Sequence, residues 1–380
     1  MGAGAMPAPM VSFRDPRNRH PFHMHDMIRA QPGFVEETLR RVEGIDPEAL
    51  FRGPRRILVT GCGTSFHAAQ IGARLLATAF GSRAAVQSVH AYDLVFGSPT
   101  GRGVLVVGVS HSGNTPTTNA ALARARRQGA RTVGISGLPG APIERVAHRT
   151  VVLGSVHDRS WANTMSYTSQ LVAFASFARR IADGGTASSR ALRKIPSTLQ
   201  AALGCEPAIR ALARSVVARS RVTFLGTGLD DVTAQEAALK IRETCSMPAT
   251  GYHTEQILHG PFLALDRGDA VVGLRSQDDD WRADEILEAL AHAGPRVARI
   301  GDGRPVDVPL PRAPADLRPL VSIVPLQFLA YHAALGRGAN PDVMRTDVGR
   351  YARGIDALFT WRPHPRRSGR PSRPRSRSAG

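Results

Sequence analysis

The chain has 380 residues, 42% of them hydrophobic and 6% aromatic, and a formal net charge of +18. That length exceeds what one hydrophobic core organises and calls for two domains of roughly 130–150 residues with terminal extensions. No apolar run reaches the ~20 residues a membrane-spanning helix needs, and the first twenty residues lack an apolar signal-peptide core, so a cytoplasmic protein is expected.

Seven arginines and no acid lie in the last twenty residues, leaving +11 on the remainder. With its Pro, Ser and Gly that tail cannot bury enough apolar surface to fold and is expected to be disordered. It lacks the interleaved aromatics and modules of a nucleic-acid binder, so no nucleic-acid partner is expected. Cys62, Cys205 and Cys245 are widely separated, which argues against a disulfide framework and a zinc site; neither metal nor cofactor is expected.

In chain order, residues 1–26 read as irregular, and Met27–Val42 has helical spacing. Ile57–Thr60 then reads as a strand running into Gly61-Cys62-Gly63-Thr64-Ser65 and a helix to about Phe80. Val104–Val109 runs likewise into Ser110-His111-Ser112-Gly113-Asn114-Thr115 and a helix to Gln128. Thr132–Ile135 and Val151–Leu153 complete the strands of the first half, before a helix over about Ala162–Ile181. Gly184–Ser189 reads as a linker, followed by helical segments up to Arg219. The second half repeats the plan: strand Val222–Leu225, helix Val232–Cys245, strand Ala270–Leu274, helix Asp280–His292, strand Val297–Ile300. Short apolar strands alternating with helices predict an α/β fold of parallel sheets flanked by helices. The boundaries are an extension with its leading helix at 1–50, a first domain at 51–183, a linker and helix at 184–204, a second domain at 205–350, and a C-terminal segment at 351–380.

Both hydroxyl-rich loops sit between a strand and a helix, where free N–H groups and the helix dipole favour an anion. Neither has the glycine spacing of a dinucleotide fingerprint or the Gly-Lys-Ser/Thr of a P-loop, which points to a small phosphate ester. The same hydroxyls could instead be ordinary helix caps. Glu236, Lys240 and Glu243 recur at i, i+4 and i+7, stacking on one helix face with Ala237, Ala238 and Ile241 turned away. That face is either a solvated ion-pair ladder or, beside a phosphate site, a carboxylate able to carry a proton between adjacent carbons. His259 is the candidate for opening a sugar ring.

These segments resemble the SIS (sugar isomerase) domain family, and within it the isomerase half of the glucosamine-6-phosphate synthases, over roughly residues 27–350. The motifs are GCGTS (61–65), SHSGNT (110–115), ANTMSYTSQL (162–171), QEAALKIRE (235–243), LHGP (258–261) and PLQFLAYHAAL (325–335). The resemblance implies two tandem flavodoxin-like SIS domains. It implies that Thr64, Ser65, Ser110, Ser112 and Thr115 hold a sugar phosphate, with His111 where the family often has Gln. Asn163 and Thr164 would line the sugar, Glu243 would shuttle the proton with Lys240 assisting, and His259 would act from a neighbouring subunit of a homodimer. Three departures argue against amination from glutamine: Gly2 follows Met1 where the synthases have a nucleophilic cysteine, Met165 replaces the lysine of A-S-T-K, and residues 340–347 carry no lysine. The expected activity is therefore that of a phosphosugar isomerase, or an isomerising deaminase or deglycase; the alternative is a non-catalytic sugar-phosphate-binding regulator.

Overall fold

The structure, a computed structural model, describes residues 15–359 except 98–99, 184–189 and 277–280. The linker Gly184–Ser189 and the Arg-rich tail therefore lie outside the described residues.

The chain opens with α1 (His23–Arg29), α2 (Gln31–Glu43) and α3 (Pro47–Phe51). Where the spacing predicts one helix over Met27–Val42, two helices meet at Ala30, because Pro32 in the first turn of α2 cannot supply the N–H that would continue α1. The expected irregular stretch also ends earlier, at His23. Its turn is anchored from the far end of the chain: the Asp342 carboxylate accepts the backbone N–H groups of His23 and Met24, each at 2.8 Å.

The first α/β unit runs β1 (Arg56–Thr60), α4 (Thr64–Phe80), β2 (Ala85–Ser88), α5 (Ala91–Phe96), β3 (Val104–Ser110), α6 (Pro116–Arg127), β4 (Arg131–Ser136), α7 (Ile143–Val146), β5 (Arg149–Val152) and α8 (Met165–Ala182). After α9 (Arg190–Ala202) and α10 (Glu206–Val217) comes the second: β6 (Arg221–Gly226), α11 (Asp230–Cys245), β7 (Ala249–His253), β8 (Asp269–Arg275), α12 (Trp281–His292), β9 (Arg296–Gly301), β10 (Val308–Pro309) and α13 (Arg318–Gly336), with α14 (Gly349–Phe359) last. Each unit has a wholly parallel five-stranded sheet, ordered β2-β1-β3-β4-β5 in the first and β10-β9-β8-β6-β7 in the second. Read from the opposite edge, the second order is the first repeated, and both are the flavodoxin-like order. β2, β7 and β10, which the apolar pattern does not announce, are all edge strands.

The turns that leave β1 and β6 need glycine for the same reason. A Cβ on Gly61 would stand 2.8 Å from the Ser65 carbonyl oxygen, and one on Gly226 would stand 2.1 Å from that of Asp230. Each helix start folds back onto its own strand end at a distance only a bare backbone allows.

One apolar core runs through both units, with Phe174 and Tyr167 of α8, Ile241 of α11 and Phe328 of α13 all buried in it. The nineteen residues of α13 are long and apolar enough by composition to cross a bilayer, but 89% of that stretch is packed inside the fold. The two units are also joined at the surface by the paired hydrogen bonds of Arg74 to Asp231, at 2.7 and 3.0 Å.

Candidate active site

In an open parallel sheet, ligands bind at the carboxyl ends of the strands where the strand order reverses. In the first sheet that point lies between β1 and β3, and the two hydroxyl-rich loops leave those two strands. Neither loop uses its hydroxyls as helix caps. Gly63 precedes α4, and Thr115, preceding α6, makes no side-chain cap bond. Instead Thr115 Oγ1 lies 2.8 Å from Ser110 Oγ, and Ser112 Oγ accepts the Asn114 N–H at 3.2 Å. Ser65 Oγ accepts from Gln170 Nε2 of α8 at 3.1 Å. The amides at both helix starts are thus left without a side-chain partner, as an anion site requires.

His111 differs from its neighbours. Its imidazole is buried, with Nε2 accepting the Asp158 N–H at 3.0 Å, and it lies so close to Gly137 that a Cβ there would stand 2.0 Å from Nδ1. Burial, partly countered by Asp158 and reinforced by His157, lowers its pKa to about 4. The ring is therefore neutral at pH 7 and turned into the protein, so only the backbone of His111 is available to a ligand.

Asp158, which no motif singles out, organises the segment 160–166. Its buried carboxylate accepts from the N–H groups of Thr164 (2.7 Å) and Ser166 (3.1 Å) and from Ser166 Oγ (3.0 Å). This carboxylate caps α8 from outside and starts it at Met165, three residues after the expected Ala162. Asn163 is half-buried and held at φ 51°, with its Nδ2 donating to Trp161 O at 2.9 Å. Thr164 is fully buried and presents no surface to a ligand. Met165 packs beside His111 and Ser169 around a crevice of only about 10 Å³.

The face of α11 bearing Glu236, Lys240 and Glu243 is turned inward against the first unit, which overturns the solvated-ladder alternative. Glu236 and Lys240 are both fully buried. The Lys240 ammonium lies 2.6 Å from Glu243 Oε2 and 3.2 Å from Glu236 Oε1, and donates to Thr64 Oγ1 at 2.9 Å and to the Ala162 carbonyl. Thr64 Oγ1 in turn donates to Glu236 Oε1 at 3.0 Å, and His67 Nδ1 to Glu236 Oε2 at 2.6 Å. Thr64 therefore joins the loop of the first unit to the ion ladder of the second. His67, one turn into α4, is a member of the cluster that residue spacing alone does not reveal.

The three charges titrate differently. Burial pushes Glu243 above the ordinary carboxylate value, and Glu236 adds to this while Lys240 opposes it. Burial also works against the charge on Glu236, but Lys240 and the His67 hydrogen bond outweigh it and hold that carboxyl low. Burial opposes the Lys240 charge too; Glu236 and Glu243 overcome it and raise the lysine. Glu243 is the member with access: its side chain is 19% exposed, on a groove of about 480 Å³ walled by Met247, Met344, Arg345, Tyr351 and Ile355.

His259 is not brought to this cluster. It is exposed at the end of a short 3₁₀ turn, Glu255–Leu258, beyond edge strand β7, and no described hydrogen bond or ion pair joins it to Glu243, Lys240 or Thr64.

A family model described as the SIS domain matches residues 50–180 and 216–303. Among curated relatives, a glutamine–fructose-6-phosphate aminotransferase [isomerizing] of Gloeobacter violaceus is 32% identical over 84% of this chain and 56% of its own length. One of the same name from Pyrococcus horikoshii is 30% identical over 76% of this chain and 50% of its own. The chain thus spans about half the length of the curated relatives it matches. Among solved structures, the C-terminal domain of glucosamine-fructose-6-phosphate aminotransferase from Francisella tularensis superposes with a TM-score of 0.78 at 22% identity, covering 86% of this chain and 99% of that one. Tagatose-6-phosphate ketose/aldose isomerase from Escherichia coli gives 0.74 at 22% identity, covering 88% and 98%. At these identities the structural matches establish the fold.

Proposed function

The chain belongs to the SIS domain family, and we propose that it moves a proton between the first two carbons of a hexose phosphate or amino-sugar phosphate. It does so as an aldose–ketose isomerase or as an isomerising deaminase or deglycase. The observation that carries this reading is the state of Glu243: a carboxyl with a raised pKa, one oxygen fixed by a buried ammonium, and a side chain that opens onto a groove. A carboxyl poised this way serves as base and then as acid.

In the isomerase direction Glu243 takes the hydrogen at C2 as a proton while the C1 carbonyl oxygen gains one. The resulting enediol receives the proton from Glu243 at C1 as the O2 hydroxyl gives up its own. Lys240 orients the carboxylate and offsets negative charge developing on the enediolate. On a 2-amino sugar the same transfer leaves an imine at C2, which water hydrolyses to the ketose and ammonia. The phosphate sits at Ser65, Ser110, Ser112 and Thr115 with the amides of both helix starts, Asn163 borders the sugar, and Thr64 works from within the cluster. His259, exposed and unattached to the cluster in its own chain, opens the ring in the site of a second copy, making the active form a homodimer. The names carried by the relatives and by the superposed isomerase support this class of substrate.

The test is proton exchange followed by NMR in heavy water, at C2 of glucose-6-phosphate and glucosamine-6-phosphate and at C1 of fructose-6-phosphate, with Glu243→Gln alongside. Exchange that depends on Glu243 is the expected result. Binding without exchange on all three sugars would sink the catalytic reading and favour a sugar-phosphate-binding regulator.

A further inference from the structure

A second cavity, of about 390 Å³, lies where α10, α13 and the segment before α1 meet, and it shares no lining residue with the site described above. Arg210 and Arg214 enter it from one face of α10, four residues apart; His332 of α13 and His20 stand around it, and Ala213 and Leu335 supply apolar wall. The carboxylate nearest the arginines along the helix is Glu206, one turn earlier on α10, and it is engaged by three other donors. It accepts from His25 Nε2 at 2.8 Å, from Arg29 Nη1 at 3.0 Å and from His332 Nε2 at 3.1 Å. Neither Arg210 nor Arg214 has a hydrogen bond or ion pair with any described residue. The two guanidiniums, like charges at i, i+4, therefore stand side by side and exposed at the cavity with no ion-pair partner among the described residues. His20 has its Nδ1 committed to Tyr331 Oη at 2.7 Å, which fixes the ring at the cavity.

We propose that this cavity is a binding site for an organic phosphate with a small apolar body. Two guanidiniums on one helix face match a phosphate dianion, each able to present paired N–H donors to its oxygens. His20 adds a further polar contact beside them. The apolar body lies against Val217 and Leu335, both only partly buried, which inorganic phosphate alone would leave uncovered. The inference does not depend on the reaction proposed for the first site.

Phenyl phosphate is the probe, titrated by ligand-observed NMR against the full chain, with inorganic phosphate in parallel. To keep the two sites apart, the measurement is made in Ser110→Ala/Thr115→Val, which removes the hydroxyl pair of the first site, and again after adding Arg210→Ala/Arg214→Ala. Both arginines are exposed, so their replacement leaves the core intact, which circular dichroism checks. Phenyl phosphate should bind the first variant more tightly than inorganic phosphate does, and the added arginine changes should weaken it by about tenfold or more. Absence of binding in Ser110→Ala/Thr115→Val, or undiminished binding without the arginines, would overturn the proposal.

Discussion

Lys240 Nζ lies 2.6 Å from Glu243 Oε2, one turn along α11, while the same ammonium is 3.2 Å from Glu236 Oε1 on the turn before. A single buried cation thus holds two carboxylates, one sealed in the interior and one with access to a groove. Lys240→Met keeps the length of the side chain but leaves Glu236 buried without its main counter-charge. Removing one partner of a buried pair costs about 3–5 kcal/mol, and a loss of that size is expected in urea unfolding, with an unchanged slope. A loss below about 1 kcal/mol would mean that the cluster relaxes and admits water.

Glu243→Gln keeps shape and hydrogen bonding to Lys240 and removes only the capacity to carry a proton. Turnover of the responsive sugar phosphate should fall by about 10²–10⁴-fold, the usual worth of a general acid/base, with binding little changed. Single-turnover rates beside equilibrium titration separate the two. Equal turnover would exclude Glu243 as the proton carrier.

The pH dependence follows from the same pair. In the proposed reaction Glu243 acts as a base when ionised, and burial raises its pKa, so its ionised fraction is lost at a higher pH than for an ordinary glutamate. The acidic limb of kcat/KM should therefore lie above the ordinary carboxylate value. Stability should run the other way for Glu236. Its folded pKa is lowered, so its contribution is present above its unfolded value and is lost as pH falls through the folded one. An acidic limb at or below the ordinary value would show that another group sets the rate profile.

Should His259 serve a neighbouring site, two inactive variants complement each other. Mixed Glu243→Gln and His259→Asn chains that reassort at random form half their dimers with one intact site of two, which gives about a quarter of wild-type activity. A mixture as inactive as its components would place His259 in its own chain's site, and full activity of His259→Asn alone would put it outside the reaction.

The central strands were legible in the sequence because both their faces are covered and they read as unbroken apolar runs, as in Ile57–Thr60 and Val104–Val109. Of the edge strands only β5 was, through Val151–Leu153; β2, β7 and β10 were not. β2 carries the half-exposed run Ala85-Val86-Gln87-Ser88, and β7 holds Gly251 and His253, so neither has the composition of a buried strand. At the site, local order disclosed the two loops and the α11 face, since strand, loop and helix are contiguous there. It did not disclose His67, whose partner lies 169 residues away, or Asp158, whose carboxylate collects the N–H groups of Thr164 and Ser166 at the start of α8 while its own N–H reaches His111 on another loop. Nor did it disclose that the His111 ring is turned inward, which depends on the space left by Gly137 one strand over.

The Lys240 ammonium reaches back to Thr64 and to the Ala162 carbonyl, so the cluster is made of pieces far apart in order of synthesis. While the ribosome is still making residues short of 240, all five strands of the first sheet and both hydroxyl-rich loops have been synthesised, yet the Lys240–Glu243 pair does not exist. Under the proposed function, a nascent chain at that stage has the loops assigned to the phosphate but not the carboxylate assigned to the proton, and the two come together only with the docking of α11.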